Sequence, residues 1–155
     1  MKKLTIDIGI QEFEVNGEVL RFNPSDPNVY ARFVAAAEKL AEIERHMVAK
    51  AETLDSSDSN AQGVQLLSVM ENADKEVKNI LGEVFGCQND FNKILGGVNV
   101  MAVASNGERV ITNFVNALAP ILTKGAQNCA RDQARDAAAT LRPNRETRRS
   151  STGGK

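Results

Sequence analysis

The sequence predicts an α+β protein that is mainly α: a small N-terminal antiparallel hairpin packed on a multi-helix bundle, then a disordered basic C-terminal tail. Three observations carry this. Asn16-Gly17 lies between two runs whose apolar residues alternate. Pro24 and Pro27 divide that alternating text from text with three- and four-residue apolar spacing. The helical spacing then recurs as far as Leu141, and the closing run RPNRETRRSSTGGK has no large apolar side chain at all.

Leu4, Ile6, Ile8 and Ile10 alternate with Thr5, Asp7 and Gly9, the pattern of a half-buried strand. The next apolar residues, Phe13 and Val15, fall on odd positions. Such a change of parity turns every side chain to the other face unless the chain bends or bulges, and Gly9 to Gln11 is where a bend is expected. Asn16-Gly17 suits a type I′ turn, whose two central residues both need positive φ. With that turn, Val15 faces Glu18, Phe13 faces Leu20 and Glu12 faces Arg21. Phe13, Val15, Leu20 and Phe22 then share one face, while Glu12 and Arg21 pair on the other.

Pro24 ends the second strand because it cannot donate to a ladder. Ser25 or Asp26 is placed to cap a helix, with Pro27 in its first turn, where a missing N–H costs nothing. Tyr30, Phe33, Val34, Ala37, Leu40, Ala41, Met47 and Val48 then predict an amphipathic helix to about Leu54. The polar stretch DSSDSNAQG, 55–63, reads as a loop. A second helix is expected from about Ala61 to Phe85, with Leu67, Met70, Ala73, Val77, Ile80, Leu81 and Val84 as its stripe and Gly86 beyond its end.

Asp90 to Val98 reads as a short helix closed by Gly96-Gly97. Ser105-Asn106-Gly107-Glu108 could be a hairpin turn, but Ser-x-x-Glu before an apolar run is also a capping box. The helical spacing of Val110, Ile111, Phe114, Val115 and Leu118 favours the cap. Pro120 should kink or break that helix, because its ring clashes with the carbonyl of Asn116. Ala126 to Leu141 can form a helix whose apolar stripe is almost all alanine, and Pro143 stops it. Residues 1–141 are thus expected to be a single domain, with 1–23 as the hairpin region and 26–141 as the helical region. Residues 142–155 are expected to be a disordered tail.

A chain of 155 residues normally makes one domain with a real core. Aromatics are only 5% and tryptophan is absent, so aliphatic side chains must supply most of that core. Residues 1–123 carry eleven Lys/Arg against seventeen Asp/Glu, whereas residues 124–155 carry eight against three. An acidic body with a basic end results. No apolar run approaches the roughly 20 residues a membrane span needs. The N-terminus is broken by Asp7, Glu12 and Glu14, unlike a signal peptide.

Nothing in the text marks a catalytic centre. His46 is the single histidine, with only Glu42 and Glu44 nearby, and reads as a surface residue. Cys87 and Cys129 have no ligand-like spacing and read as free thiols. The segment DSSDSN lacks the glycine and closing glutamate of an EF-hand loop. Gly96, Gly97 and Gly107 form neither a phosphate loop nor a dinucleotide fingerprint. The expectation is therefore no enzyme, no metal and no cofactor. Arg142, Arg145, Arg148 and Arg149 could engage phosphate backbones, but no aromatic residue accompanies them for base stacking, which favours a solubilising role.

Two runs resemble one family. LTIDIGIQEFEVNGEVLRFNPSDPNVYARF (4–33) and VFGCQNDFNKILGGVNVMAVASNGERVITNFVNALAPIL (84–122) look like parts of tail assembly chaperones from long-tailed phages and prophages of Gram-positive bacteria. The resemblance implies a mostly helical, non-enzymatic protein that binds the tape-measure protein and helps recruit tail-tube subunits during tail morphogenesis. It implies action in the host cell cytoplasm, absence from the mature virion, a possible homo-oligomer and, in many members, a longer frameshifted form. It assigns no binding residues to named positions. The helix around Pro120 and the alanine stripe after Gly125 are expected to serve self-association or client contact, because they bury least. The alternative reading is a small nucleic-acid-binding regulator acting through the basic tail.

Overall fold

The computed structural model describes residues 1–54 and 59–141. Two strands, β1 (Gln11–Val15) and β2 (Glu18–Phe22), precede four helices: α1 (Pro27–Glu52), α2 (Ser59–Phe85), α3 (Phe91–Ile94) and α4 (Val110–Leu141). The fold is mainly α, with a two-stranded antiparallel sheet packed on helices. The expected tail lies outside the described residues, as do residues 55–58 of the DSSDSN segment.

The hairpin has the register its sequence dictates. Val15 pairs with Glu18, Phe13 with Leu20 and Glu12 with Arg21. Asn16 and Gly17 have φ of 52° and 87°, as a type I′ turn requires. Leu20 and Phe22 are fully buried, Phe13 and Val15 half-buried, and the Arg21 guanidinium meets Glu12 at 2.8 Å on the exposed face.

At the corner, Asp26 caps α1 by accepting from Asn28 N at 2.9 Å, and Pro27 occupies the first helical position. The chain turns there so that the hairpin's apolar face meets α1 and α2. The buried face of α1 runs through Val29, Phe33, Ala36, Leu40, Ile43 and Met47. This corrects the expected stripe: Phe33, Leu40 and Met47 face the core, but Tyr30, Val34, Ala37, Ala41 and Val48 are exposed. The sequence allows two overlapping stripes on this helix, and docking of Val29 and Ile43 selects the other one.

α2 runs back along α1, with Arg32 Nε donating to the Val84 carbonyl at 3.1 Å near one end of the pair. Ala73, Val77, Leu81 and Val84 are buried as expected, but Leu67 is exposed, because the first turns of α2 extend past the core.

The chain's six phenylalanines form one aromatic cluster that joins all six elements, each contributing one ring. Phe85 is its hub, with ring centroids 5.0 Å from Phe22, 5.8 Å from Phe91, 6.4 Å from Phe114 and 6.5 Å from Phe33. Phe13 joins by stacking on Phe22 at 4.9 Å. The shortage of aromatic residues is thus offset by placing nearly all of them at one point.

Four further expectations are corrected. Residues 4–10 form no strand: Leu4, Ile6 and Ile8 are 86%, 76% and 65% exposed. β1 begins directly at Gln11, so the preceding residues have no turn by which to pair with it. The helix expected over 90–98 is confined to Phe91–Ile94, capped by Asp90, because the backbone leaves helical geometry at Gly96 and Gly97.

The capping box at Ser105 is also corrected. Residues 104–108 form a tight turn instead, with Ala104 N donating to the Glu108 carbonyl at 2.7 Å and a bridge between Val103 and Arg109. Asn106 accepts from Glu108 N, so the turn-forming chemistry of Asn106-Gly107 prevails over the cap, and α4 starts at Val110. Lastly, of the kink or break expected at Pro120 no break occurs: α4 is 32 residues long and runs on through Pro120 to Leu141. Leu118 and Leu122 are buried on either side of Pro120, and their packing holds the helix together across the missing hydrogen bond.

Candidate interaction surfaces

The polar groups that the fold buries are occupied in holding it together. Asn89 is the buried polar residue of the described core, 6% exposed. Its Oδ1 accepts from Arg21 N at 2.8 Å, and its Nδ2 donates to the Arg21 carbonyl at 2.8 Å and the Phe85 carbonyl at 3.1 Å. The amide thus imitates a neighbouring strand and closes the outer edge of β2. No sequence pattern announces this role, because it depends on a partner 68 residues away.

Asp74 and Lys78, with side chains 15% and 11% exposed, form an ion pair at 3.0 Å on α2. Asp74 also accepts from Val100 N, and Lys78 donates to Asn92 Oδ1 and the Val98 carbonyl. The pair pins the 92–100 segment to α2. Arg109 likewise bridges α1 and the loop, with its Nε 3.0 Å from Glu44 and its Nη1 donating to the Met101 carbonyl. Each of these charges has its partners within the fold. No buried side-chain polar atom lacks a hydrogen bond among the described residues.

An open groove of about 950 Å³ lies between α1 and α2, lined by Ile43, His46, Met47, Val69 and Glu76 among others. His46 is exposed there. No group of three or more His, Cys, Asp or Glu side chains that could hold a metal occurs among the described residues. Cys87 is exposed and Cys129 half-buried, and both are free. No helix of the described residues is long and apolar enough to cross a membrane.

What the molecule does present is uncovered apolar surface on extended and helical elements. Val48 near the end of α1 and Val64 and Leu67 at the start of α2 are exposed at the same end of the helix pair. α4 is exposed from Arg131 to Ala139, beyond the point where Leu122 enters the core. The N-terminal arm, residues 1–10, exposes four large aliphatic side chains in alternation. Contiguous uncovered apolar surface is a common mark of contact sites between polypeptides. No family model, curated protein or solved structure matches this chain.

Proposed function

We propose that this protein is a phage tail assembly chaperone, binding the tape-measure protein in the host cytoplasm and helping recruit tail-tube subunits while remaining absent from the mature virion. The reading starts from the resemblance of residues 4–33 and 84–122 to that family. The observation that carries it is the distribution of uncovered apolar side chains, which lie on the arm and at the far end of the α1–α2 pair.

A tape-measure protein is long and helical, and its apolar faces aggregate when bare. A chaperone for it must bind repeatedly along its length, so that each contact is modest while the total is large. Exposed Val64 and Leu67, one helical turn apart, suit such shallow contacts. The gene should lie just upstream of a very long tape-measure gene. Co-expression of the two proteins should yield a complex with several copies of this chain per client. Two proteins that elute separately would refute the proposal. A salt-sensitive complex with RNA or DNA in their place would instead establish the regulator reading through the basic tail.

A further inference from the structure

We propose that the N-terminal arm is an exchanged strand, which pairs antiparallel along the open edge of β1 in a second copy of this chain. The inference is independent of the chaperone reading. It begins with the hydrogen-bonding parity of the hairpin. Around a two-residue turn the flanking pair, Val15 and Glu18, exchanges both backbone bonds, as do Phe13 with Leu20 and Gln11 with Phe22. The N–H and C=O groups of Glu12 and Glu14 therefore point away from β2. On the opposite side, Asn89 covers the outer edge of β2 at Arg21. β1 thus presents an open edge along its length. Among the described residues no backbone hydrogen bond joins that edge to another segment.

The arm is a strand without a sheet. Its aliphatic residues alternate, and Leu4, Ile6, Ile8 and Ile10 are all exposed. Its departure from the hairpin is fixed rather than loose. Gly9 has φ of 71°, Asp7 Oδ1 accepts from Gly9 N at 2.8 Å, and Asn23 Nδ2 donates to the Ile8 carbonyl at 3.0 Å. A β-carbon at Gly9 would lie 2.7 Å from that same amide nitrogen. These contacts draw the arm toward Asn23, past the end of β2 and away from the open edge of its own β1. The edge and the strand that fits it are on one chain but cannot meet within it.

Charge and hydrophobicity choose a second copy as the occupant. The arm tip carries Lys2 and Lys3, whereas β1, QEFEV, carries Glu12 and Glu14 and no basic residue. Arg21 meets Glu12, but Glu14 has no ion pair among the described residues. A register with Lys3 opposite Glu14 also sets Thr5 opposite Glu12 and Leu4 opposite Phe13. Leu4 would then cover the half-buried edge of the hairpin's apolar face at Phe13 and Val15. Both arms seat at once about a two-fold axis, so a pair of copies closes both edges and leaves no template for further growth.

The test is the mass of the full chain in solution, by light scattering and sedimentation at concentrations well above micromolar. Twice the chain's mass is expected. Deletion of residues 2–8 should give a monomer with unchanged helical circular dichroism, since the arm contributes nothing to the core. Lys3→Glu and Glu14→Lys should each raise the dimer Kd several-fold, the scale of a cross-strand ion pair, and the two together should restore it. A monomeric full chain, or an oligomer unaffected by the deletion, overturns the proposal. Failure of the double charge reversal to restore association overturns the register.

Discussion

Gly125 of α4 lies directly against the Pro24 carbonyl, so closely that a β-carbon would overlap the carbonyl oxygen. The long final helix is thus seated on the corner between β2 and α1, with Leu122 buried one turn earlier. This fixes a sign. Glycine to alanine inside a helix ordinarily stabilises by about 1 kcal/mol. Here Gly125→Ala must push α4 off the corner, with an overpacking cost of about 1–3 kcal/mol. A denaturant midpoint that falls supports the seating, and one that rises shows that α4 does not rest there.

The aromatic hub yields a graded expectation. Phe85 is 3% exposed and touches four other rings, so Phe85→Ala should cost about 3–5 kcal/mol. Phe33 is half-buried and meets the cluster at one ring, so Phe33→Ala should cost clearly less. Equal losses of stability in chemical denaturation would show that the cluster has no centre.

Asn89 tests the closure of β2. Asn89→Ala strands the N–H of Arg21 and leaves its C=O with only Gln88 Nε2 at 3.5 Å, and an unsatisfied buried group costs about 1–3 kcal/mol. Asn89→Asp should be no better, since a carboxylate cannot donate to the Arg21 and Phe85 carbonyls. Hydrogen exchange at the Arg21 amide should accelerate in both variants. Unchanged protection there would remove the edge-closing role.

Much of this architecture was legible because its causes are local. Asn16-Gly17 sets a turn by backbone chemistry, and Pro24, Asp26 and Pro27 set a corner by steric restriction and capping. The misreadings share a different cause. The choice between two stripes on α1 depends on where Val29 and Ile43 dock, which no local spacing records. Pro120 survives inside α4 because packing on both sides outweighs its local preference. The alternation of Leu4 to Ile10 has the pattern of a half-buried strand, but the structure leaves that segment exposed, with no partner strand among the described residues. Surfaces for partners were the least legible, since an uncovered Val64 or Leu67 is indistinguishable in sequence from a core residue.

The basic end offers a separate check. The buried core ends at Leu122, so deletion of residues 142–155 should leave the thermal midpoint nearly unchanged. A large fall in that midpoint would show that the segment contributes to the fold. Loss of a salt-sensitive gel shift upon the same deletion would move the functional reading toward nucleic acid.

The most direct measurement of the proposed function is the soluble fraction of a tape-measure protein, if one is encoded downstream as proposed, expressed with and without this chain. Chaperone action by contact alone predicts that the soluble fraction rises on co-expression. It also predicts that Val64→Glu with Leu67→Glu reduces this effect, because the two side chains are exposed and their replacement leaves the core intact. A tape-measure protein equally soluble alone, with no complex recovered, would contradict it.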